Sequence, residues 1–188
     1  MEDTAYDRNN PRVVNIADTG DRRMVYPESL TPPQAATGRL TRGPSGTAGA
    51  FPNGRVYRME FSAYNPRKVA SFSILLNGDT LGDQATAIHQ PDNLGTSTNS
   101  LTVQEDTAQG FSRVWRYDFA ANSWTVIAQV NDADWESSGI SEVSTWFASG
   151  AWLLDVQAHD VFVASTSGTP TTFKREGGQL SLVRVPGS

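Results

Sequence analysis

Apolar and polar residues alternate along most of this chain with the two-residue period of β-strands, and the helical period of about 3.6 residues is almost absent. One short stretch, Ile140–Phe147, is the best candidate for a helix. Strands are predicted at Val13–Ala17, Arg55–Phe61, Val69–Leu76, Leu101–Gln104, Val114–Phe119, Trp124–Val130, Trp152–Val156, Val161–Ala164 and Leu180–Val185. The pattern therefore predicts an all-β protein.

The strand pattern repeats along the chain. RVYRMEF, at Arg55–Phe61, matches RVWRYDF, at Arg113–Phe119, almost residue for residue. Upstream of each, VVNIADTG and LTVQEDT both contain an Asp-Thr pair, which aligns Asp18 with Asp106. A stretch rich in Gly and Pro, at 20–53, interrupts the first copy only. The match predicts that both copies fold into the same unit.

A third copy begins at Glu136 and continues through WLLDVQAH and QLSLVRV. Each copy has an acidic entry, a strand, a second strand that ends near a carboxylate or histidine, a tight turn and outer strands. Four antiparallel strands per repeat are typical of a β-propeller blade. We therefore predict one partial β-propeller domain over residues 1–188, with an incomplete last blade. Its blades are expected at about 2–80, 90–131 and 136–186.

Neighbouring oxygen-bearing side chains recur near the predicted strand ends, as Asp92-Asn93 and as Glu105-Asp106. The inner strands of a propeller end at one mouth of its channel, so recurrent acids would converge there. Calcium takes about 6–8 oxygen ligands of these kinds. The alternative is that each pair caps a turn by bonding the backbone. His159, near the end of a strand, is either a ligand or proton donor, or a structural histidine.

Composition limits the classes of function. The 188 residues carry a net charge of −5, and no basic stripe is visible, so we expect no nucleic-acid partner. No apolar stretch reaches the about 20 residues of a membrane span, and the first residues lack the features of a signal peptide. The chain has no cysteine, which excludes disulfides and thiolate chemistry.

Several segments, in this order, resemble the C-terminal half of the PhoX-type bacterial alkaline phosphatases: EDTAYDRNNPRVVNIADTG, PDNL, TVQEDT, RVWRYDF, ESSGI, WLLDVQAH and EGGQLSLVRV. The resemblance implies a β-propeller, secretion to the periplasm or the outside of the cell, and hydrolysis of phosphoesters at a central cluster of calcium and iron. The family's cluster uses a cysteine, which is absent here. We therefore expect calcium, and no iron in this chain alone.

The resemblance also implies a set of site residues. Asp3, Asp92 and Glu136 would lie at matching blade entries, while His159 and Asn93 would assist the leaving group or orient the phosphate. The expected metal ligands are Asp3, Asp92, Glu105, Asp106, Glu136 and Asp155.

A competing prediction is a non-catalytic propeller fragment that acts as a self-assembling structural or binding module. Propellers close with about 4–8 blades, so three blades leave unpaired edges. For either function, we expect a homo-oligomer that completes the ring.

Overall fold

The computed structural model describes residues 2–20, 53–79, 87–107, 110–164 and 172–186, with side chains at 159–164 and 172–176 excepted. These residues form strands and turns and contain no α-helix, which confirms the all-β prediction. The excursion predicted at 20–53 lies, apart from its two end residues, outside the described residues. The strands are β1 Thr4–Asp7, β2 Asn10–Asp18, β3 Arg55–Phe61, β4 Val69–Asn77, β5 Pro91–Thr96, β6 Ser100–Glu105, β7 Arg113–Asp118, β8 Ser123–Gln129, β9 Trp135–Glu142, β10 Ala151–Ala164 and β11 Thr172–Arg184.

The strands form three antiparallel sheets in which chain neighbours are also sheet neighbours. The first sheet has the order β1-β2-β3-β4, the second β5-β6-β7-β8, and the third has three strands, β9-β10-β11. None of these sheets closes on itself within the described part of the chain. Three sheets of four, four and three strands agree with the predicted repeats, while the propeller remains a prediction.

The chain divides into two compact units. The first comprises Met1–Tyr6 and Asn10–Asp92 and contains most of the first sheet. The second comprises Asp7–Asn9 and Asn93–Ser188 and contains the third sheet and strands β6 to β8.

Two local predictions are wrong. Ile140 belongs to β9 and not to a helix. The ladder with β10 continues just past the end of β9, where the backbone N–H of Val143 donates to the carbonyl of Ala151 at 2.8 Å. The next residues form a turn, in which the N–H groups of Trp146 and Phe147 both donate to the carbonyl of Val143. The two strands predicted within β10 are one strand, with an irregularity between Ala158 and Val161.

The ladders correct the alignment of the repeat by one residue. Asp18 pairs with Arg55 in the first sheet. Arg113 is the equivalent of Arg55, and the ladder of the second sheet, continued by one residue, puts Glu105 opposite Arg113. Glu105, and not Asp106, is therefore the equivalent of Asp18.

The second and third sheets pack face to face within the second unit. At Gly95 of β5, an added β-carbon would lie 3.0 Å from Ile140 Cγ2 and 3.0 Å from Trp152 Cζ3. This contact occupies one face of the third sheet, so the side chains that alternate with the core residues lie on its opposite face. The buried cluster consists of Val114, Ile140, Trp152, Leu154 and Val185.

Candidate functional site

The face of the third sheet that points away from this core carries oxygen-bearing side chains. In the β9–β10 ladder Asp155 lies opposite Ser138, and Gln157 lies opposite Glu136. Directly opposed residues of antiparallel strands project to the same face, with β-carbons about 4.5–5.5 Å apart. Trp152 projects to the other face and is buried. Two carboxylates, a hydroxyl and an amide therefore share one surface, which we call the acidic face.

A β-bulge at Gly139 shapes this surface. The ladder passes from the pair Leu154–Ile140 directly to Asp155–Ser138, so Gly139 is the extra residue of β9. Its φ is +64°, a conformation that favours glycine, and a β-carbon there would lie 2.9 Å from Asp155 Oδ1. The glycine of the ESSGI segment therefore provides the space into which the Asp155 carboxylate projects.

The donor set of the acidic face fits a calcium ion. Its side chains offer only oxygen as an acceptor, and calcium prefers carboxylates, amides and hydroxyls. Asp155 is exposed and has no hydrogen bond or ion pair with another described residue, while Glu136 is half-buried. Diagonal neighbours such as these two acids have β-carbons about 7–8 Å apart or slightly less, a distance that one bound cation can bridge. Further ligands would have to come from water or substrate.

Within the described ranges, no group of three or more His, Cys, Asp or Glu side chains is arranged to hold a metal. The acidic face has two carboxylates and so falls below that number. Glu136 and Asp155 are the predicted ligands that the structure brings onto one surface of one sheet.

Glu105 is fully buried and accepts hydrogen bonds on both carboxylate oxygens. Its Oε2 accepts from the backbone N–H of Arg113 at 3.0 Å and from Arg113 Nε at 3.1 Å. Its Oε1 accepts from Arg113 Nη2 at 3.2 Å and from Trp115 Nε1 at 2.7 Å. The guanidinium also lies 5.0 Å above the Trp115 ring. A metal at Glu105 would have to displace these donors, so the geometry explains Glu105 as the residue that holds β6 on β7.

The first sheet contains a looser version of this arrangement. Tyr57 replaces the tryptophan, and its hydroxyl donates to Asp18 Oδ2 at 3.4 Å. Arg55 Nη1 in turn donates to the Tyr57 hydroxyl at 3.5 Å. The carboxylate, aromatic and arginine positions thus recur in both repeats, with longer contacts in the first.

The remaining predicted ligands lie in several places. Asp3 precedes β1, and its Oδ1 accepts from the Thr4 N–H at 2.6 Å. Asp92 and Asn93 are half-buried on β5, and Asp106 is exposed after β6. The predicted ligands at blade entries have similar positions in the three sheets. Each lies just before the first strand of its sheet or at the second residue of that strand: Asp3, Asp92 and Glu136.

His159 continues the backbone of β10. Its side chain lies outside the described residues, so its predicted role as a proton donor stays a prediction.

Sequence reasoning missed a polar cluster in the first unit. His89 is buried, and its Nδ1 lies 2.8 Å from Asn53 Oδ1. An amide oxygen only accepts, so His89 Nδ1 carries a proton and donates. The Asn53 amide nitrogen donates to the carbonyl of Gly78 at 3.3 Å. The signal in the sequence was the pair of Asn-Gly dipeptides at 53–54 and 77–78, one on each side of the β3–β4 hairpin.

Asp79 belongs to the same cluster, and its Oδ1 accepts from the Asn53 N–H at 3.2 Å. Burial raises the pKa of Asp79 above its ordinary value of 3.8, and the neighbouring charge of Asp18 raises it further. The Asn53 hydrogen bond and the positive charges of Arg55 and His89 oppose this shift. The net effect is a carboxyl group that the fold holds more readily in its neutral form.

We expect Asp79→Asn to stabilise the protein at neutral pH. A raised pKa contributes stability below the ordinary value of 3.8, and that contribution is lost as the pH rises through the folded-state pKa. The asparagine stays neutral, so its advantage should appear at neutral pH and vanish in acid. The midpoints of urea denaturation at neutral pH and in acid measure this difference in stability. The control is Asp134→Asn, at an exposed position. Equal midpoints for Asp79→Asn and wild type at neutral pH would contradict the expectation.

Comparisons with known proteins give no match: no protein-family model, curated protein or solved structure is similar to this chain. Within the described part of the chain, no helix has the length and apolar character needed to cross a membrane.

Proposed function

We propose that this chain is a calcium-dependent phosphoester hydrolase of the PhoX type, or a part of one. The observation that carries the proposal is the acidic face, where Glu136 and Asp155 lie on adjacent strands of one sheet beside a glycine bulge. The resemblance of the PDNL, ESSGI and WLLDVQAH segments to PhoX-type phosphatases supports the same chemistry. It also supports secretion to the periplasm or the outside of the cell.

The side chains of the acidic face have distinct roles in this proposal. Glu136 and Asp155 would hold the ion, and the oxygens of Ser138 and Gln157 would complete that side of its shell. When bound, calcium would neutralise phosphate oxygens and stabilise the charge that develops on them. Asp3, Asp92 and Asp106 remain proposed as calcium ligands, each within its own unit, and His159 and Asn93 as groups that orient the phosphate or assist the leaving group.

Removal of calcium tests the proposal directly. We expect the purified chain to bind calcium, measured by calorimetry, and to hydrolyse an aryl phosphate only when calcium is present. A chelator should abolish turnover, and added calcium should restore it, because the ion supplies the positive charge at the phosphate. Magnesium serves as the matched control, since it demands a stricter octahedral geometry. A folded chain that neither binds calcium nor turns over substrate would overturn the proposal.

The second candidate function is a non-catalytic propeller fragment that assembles into a structural or binding module. Among the described strands, β11 has a neighbour only on the β10 side, whereas β3 and β7 have neighbours on both sides. An open strand edge readily pairs with another chain. A homo-oligomer that completes a ring is proposed on this basis. An inert, metal-free and oligomeric protein in the calcium experiment would favour this candidate.

A further inference from the structure

An apolar strip lies beside the acidic face, on the same side of the third sheet. In the β10–β11 ladder Leu182 lies opposite Leu153, and Leu180 lies opposite Asp155. Leu180 is 71% exposed and Leu182 is 47% exposed. Exposed apolar side chains at neighbouring ladder positions are a feature of surfaces that contact other molecules. We call Leu153, Leu180 and Leu182 the leucine strip.

Opposite charges lie at the two ends of this strip. Arg184 lies opposite Ala151, and Asp155 lies opposite Leu180, so the two charged residues are four ladder positions apart. At about 3.3 Å per residue, this corresponds to about 13 Å along the strands. Arg184 is exposed and, like Asp155, has no ion pair with another described residue. The Leu153–Leu182 pair lies midway between the two charges, so the surface has the symmetry of a self-complementary patch.

We propose that a second copy of this chain covers the leucine strip and contributes Arg184 to the acidic face of the first. The proposal rests on the proposed function. The two copies are related by a two-fold axis that lies parallel to the sheet and perpendicular to its strands, above Leu153 and Leu182. This rotation reverses the direction of the partner's strands. The leucine strips then pack on each other about 10 Å apart, the usual spacing of stacked sheets. The same rotation places one copy's Arg184 over the other copy's Asp155, and the reverse.

This arrangement gives the acidic face a group that it lacks. Calcium would supply positive charge, and an arginine would add a fixed orientation, because it binds a phosphate through two parallel hydrogen bonds. With calcium held by Asp155 and Glu136, a phosphate bound at the acidic face would lie within reach of the guanidinium. The site would therefore be complete only in the dimer, with one copy supplying the acids and the other the arginine.

The assembly state gives the first test, by analytical ultracentrifugation of the whole chain. We expect a dimer that Leu182→Ser weakens at least about tenfold, because the leucine lies at the centre of the contact. The matched control is Val126→Ser, which changes a residue of similar exposure, 45%, on β8 and should leave the dimer intact. A monomer at all concentrations, or equal dissociation constants for the two variants, would overturn the inference.

Subunit mixing gives the second test. Glu136→Gln and Arg184→Ala should each lose most of the calcium-dependent turnover. Equal amounts of the two variants form hybrids in which one site has both wild-type residues, so mixing should restore about a quarter of the wild-type activity. No recovery in a mixture that sedimentation shows to contain dimers would overturn the inference. If the wild-type chain has no turnover at all, the proposed function fails instead, whatever its assembly state.

Discussion

Replacing Glu105 with alanine should reduce the free energy of unfolding by about 3–5 kcal/mol, the range found when one partner of a buried ion pair is removed. The Glu105 side chain is fully buried, and that of Arg113 is 15% exposed. Without the carboxylate, the guanidinium and the Trp115 indole N–H would lose the Glu105 oxygens that accept from them in a largely buried site. Urea denaturation followed by tryptophan fluorescence measures the loss. Glu105→Gln keeps an acceptor for Trp115 and should be intermediate.

The matched control for this prediction is Asp18→Ala, at the equivalent position of the first sheet. Asp18 is half-buried, and both of its contacts are long: it accepts from the Tyr57 hydroxyl at 3.4 Å and from the Gly20 N–H at 3.3 Å. We expect this substitution to cost about 1 kcal/mol or less, the usual net value of one hydrogen bond. If Glu105→Ala cost no more than Asp18→Ala, Glu105 would not be structural, and its predicted role as a metal ligand would regain support.

The sequence predicts the clearly alternating strands well because their signal is local, whereas β1, β5 and β9, the first strand of each sheet, receive no predicted bounds. Apolar residues alternate along RVYRMEF and RVWRYDF, and these segments form β3 and β7. Both strands are observed within a residue of their predicted bounds. The predicted helix at Ile140–Phe147 fails because a short apolar run does not distinguish a helix from a strand with a bulge. In this case the positive φ of Gly139 and the long-range pairing with β10 determine the outcome.

The candidate site is less predictable, because it depends on which residues lie opposite one another. Glu105 and Asp155 look alike in the sequence, since each lies at or near the end of an alternating run. The structure separates them, because a basic and an indole side chain on β7 reach Glu105, while Asp155 faces solvent beside Gly139. Such pairings between strands distant in sequence cannot be read from one strand alone. The comparison of the two repeats indicates these pairings only when Asp18 is aligned with Glu105 and not with Asp106.

The outcome for Glu105 also changes how the hydrolase should be tested. A substitution there would lower the stability of the second unit, and with it the activity, whether or not calcium binds anywhere in the chain. Glu136 is half-buried on a face that does not contribute to the core, so an isosteric replacement there disturbs packing less than a change at Glu105. The acidic face therefore offers the more informative variants.

Replacing Glu136 with glutamine should lower calcium-dependent turnover by at least about 100-fold while the protein remains folded. Changes to groups that only support metal ligands already cost about 10–100-fold in affinity or activity, so loss of a ligand charge should cost at least as much. Glutamine keeps the shape of the side chain, and Gln157 opposite it is already neutral. Calorimetry should show weaker calcium binding, and thermal unfolding without calcium should match that of the wild type.

The control for Glu136→Gln is Glu142→Gln, at the other end of the same strand. Glu142 pairs with Arg8 at 2.7 Å and lies away from Asp155, so its loss should leave calcium binding unchanged. If both variants lost turnover equally, the defect would be one of strand β9 as a whole and not of a ligand. If neither lost it, calcium would have to bind through other acids, and Asp92 and Asp106 would be the next residues to replace.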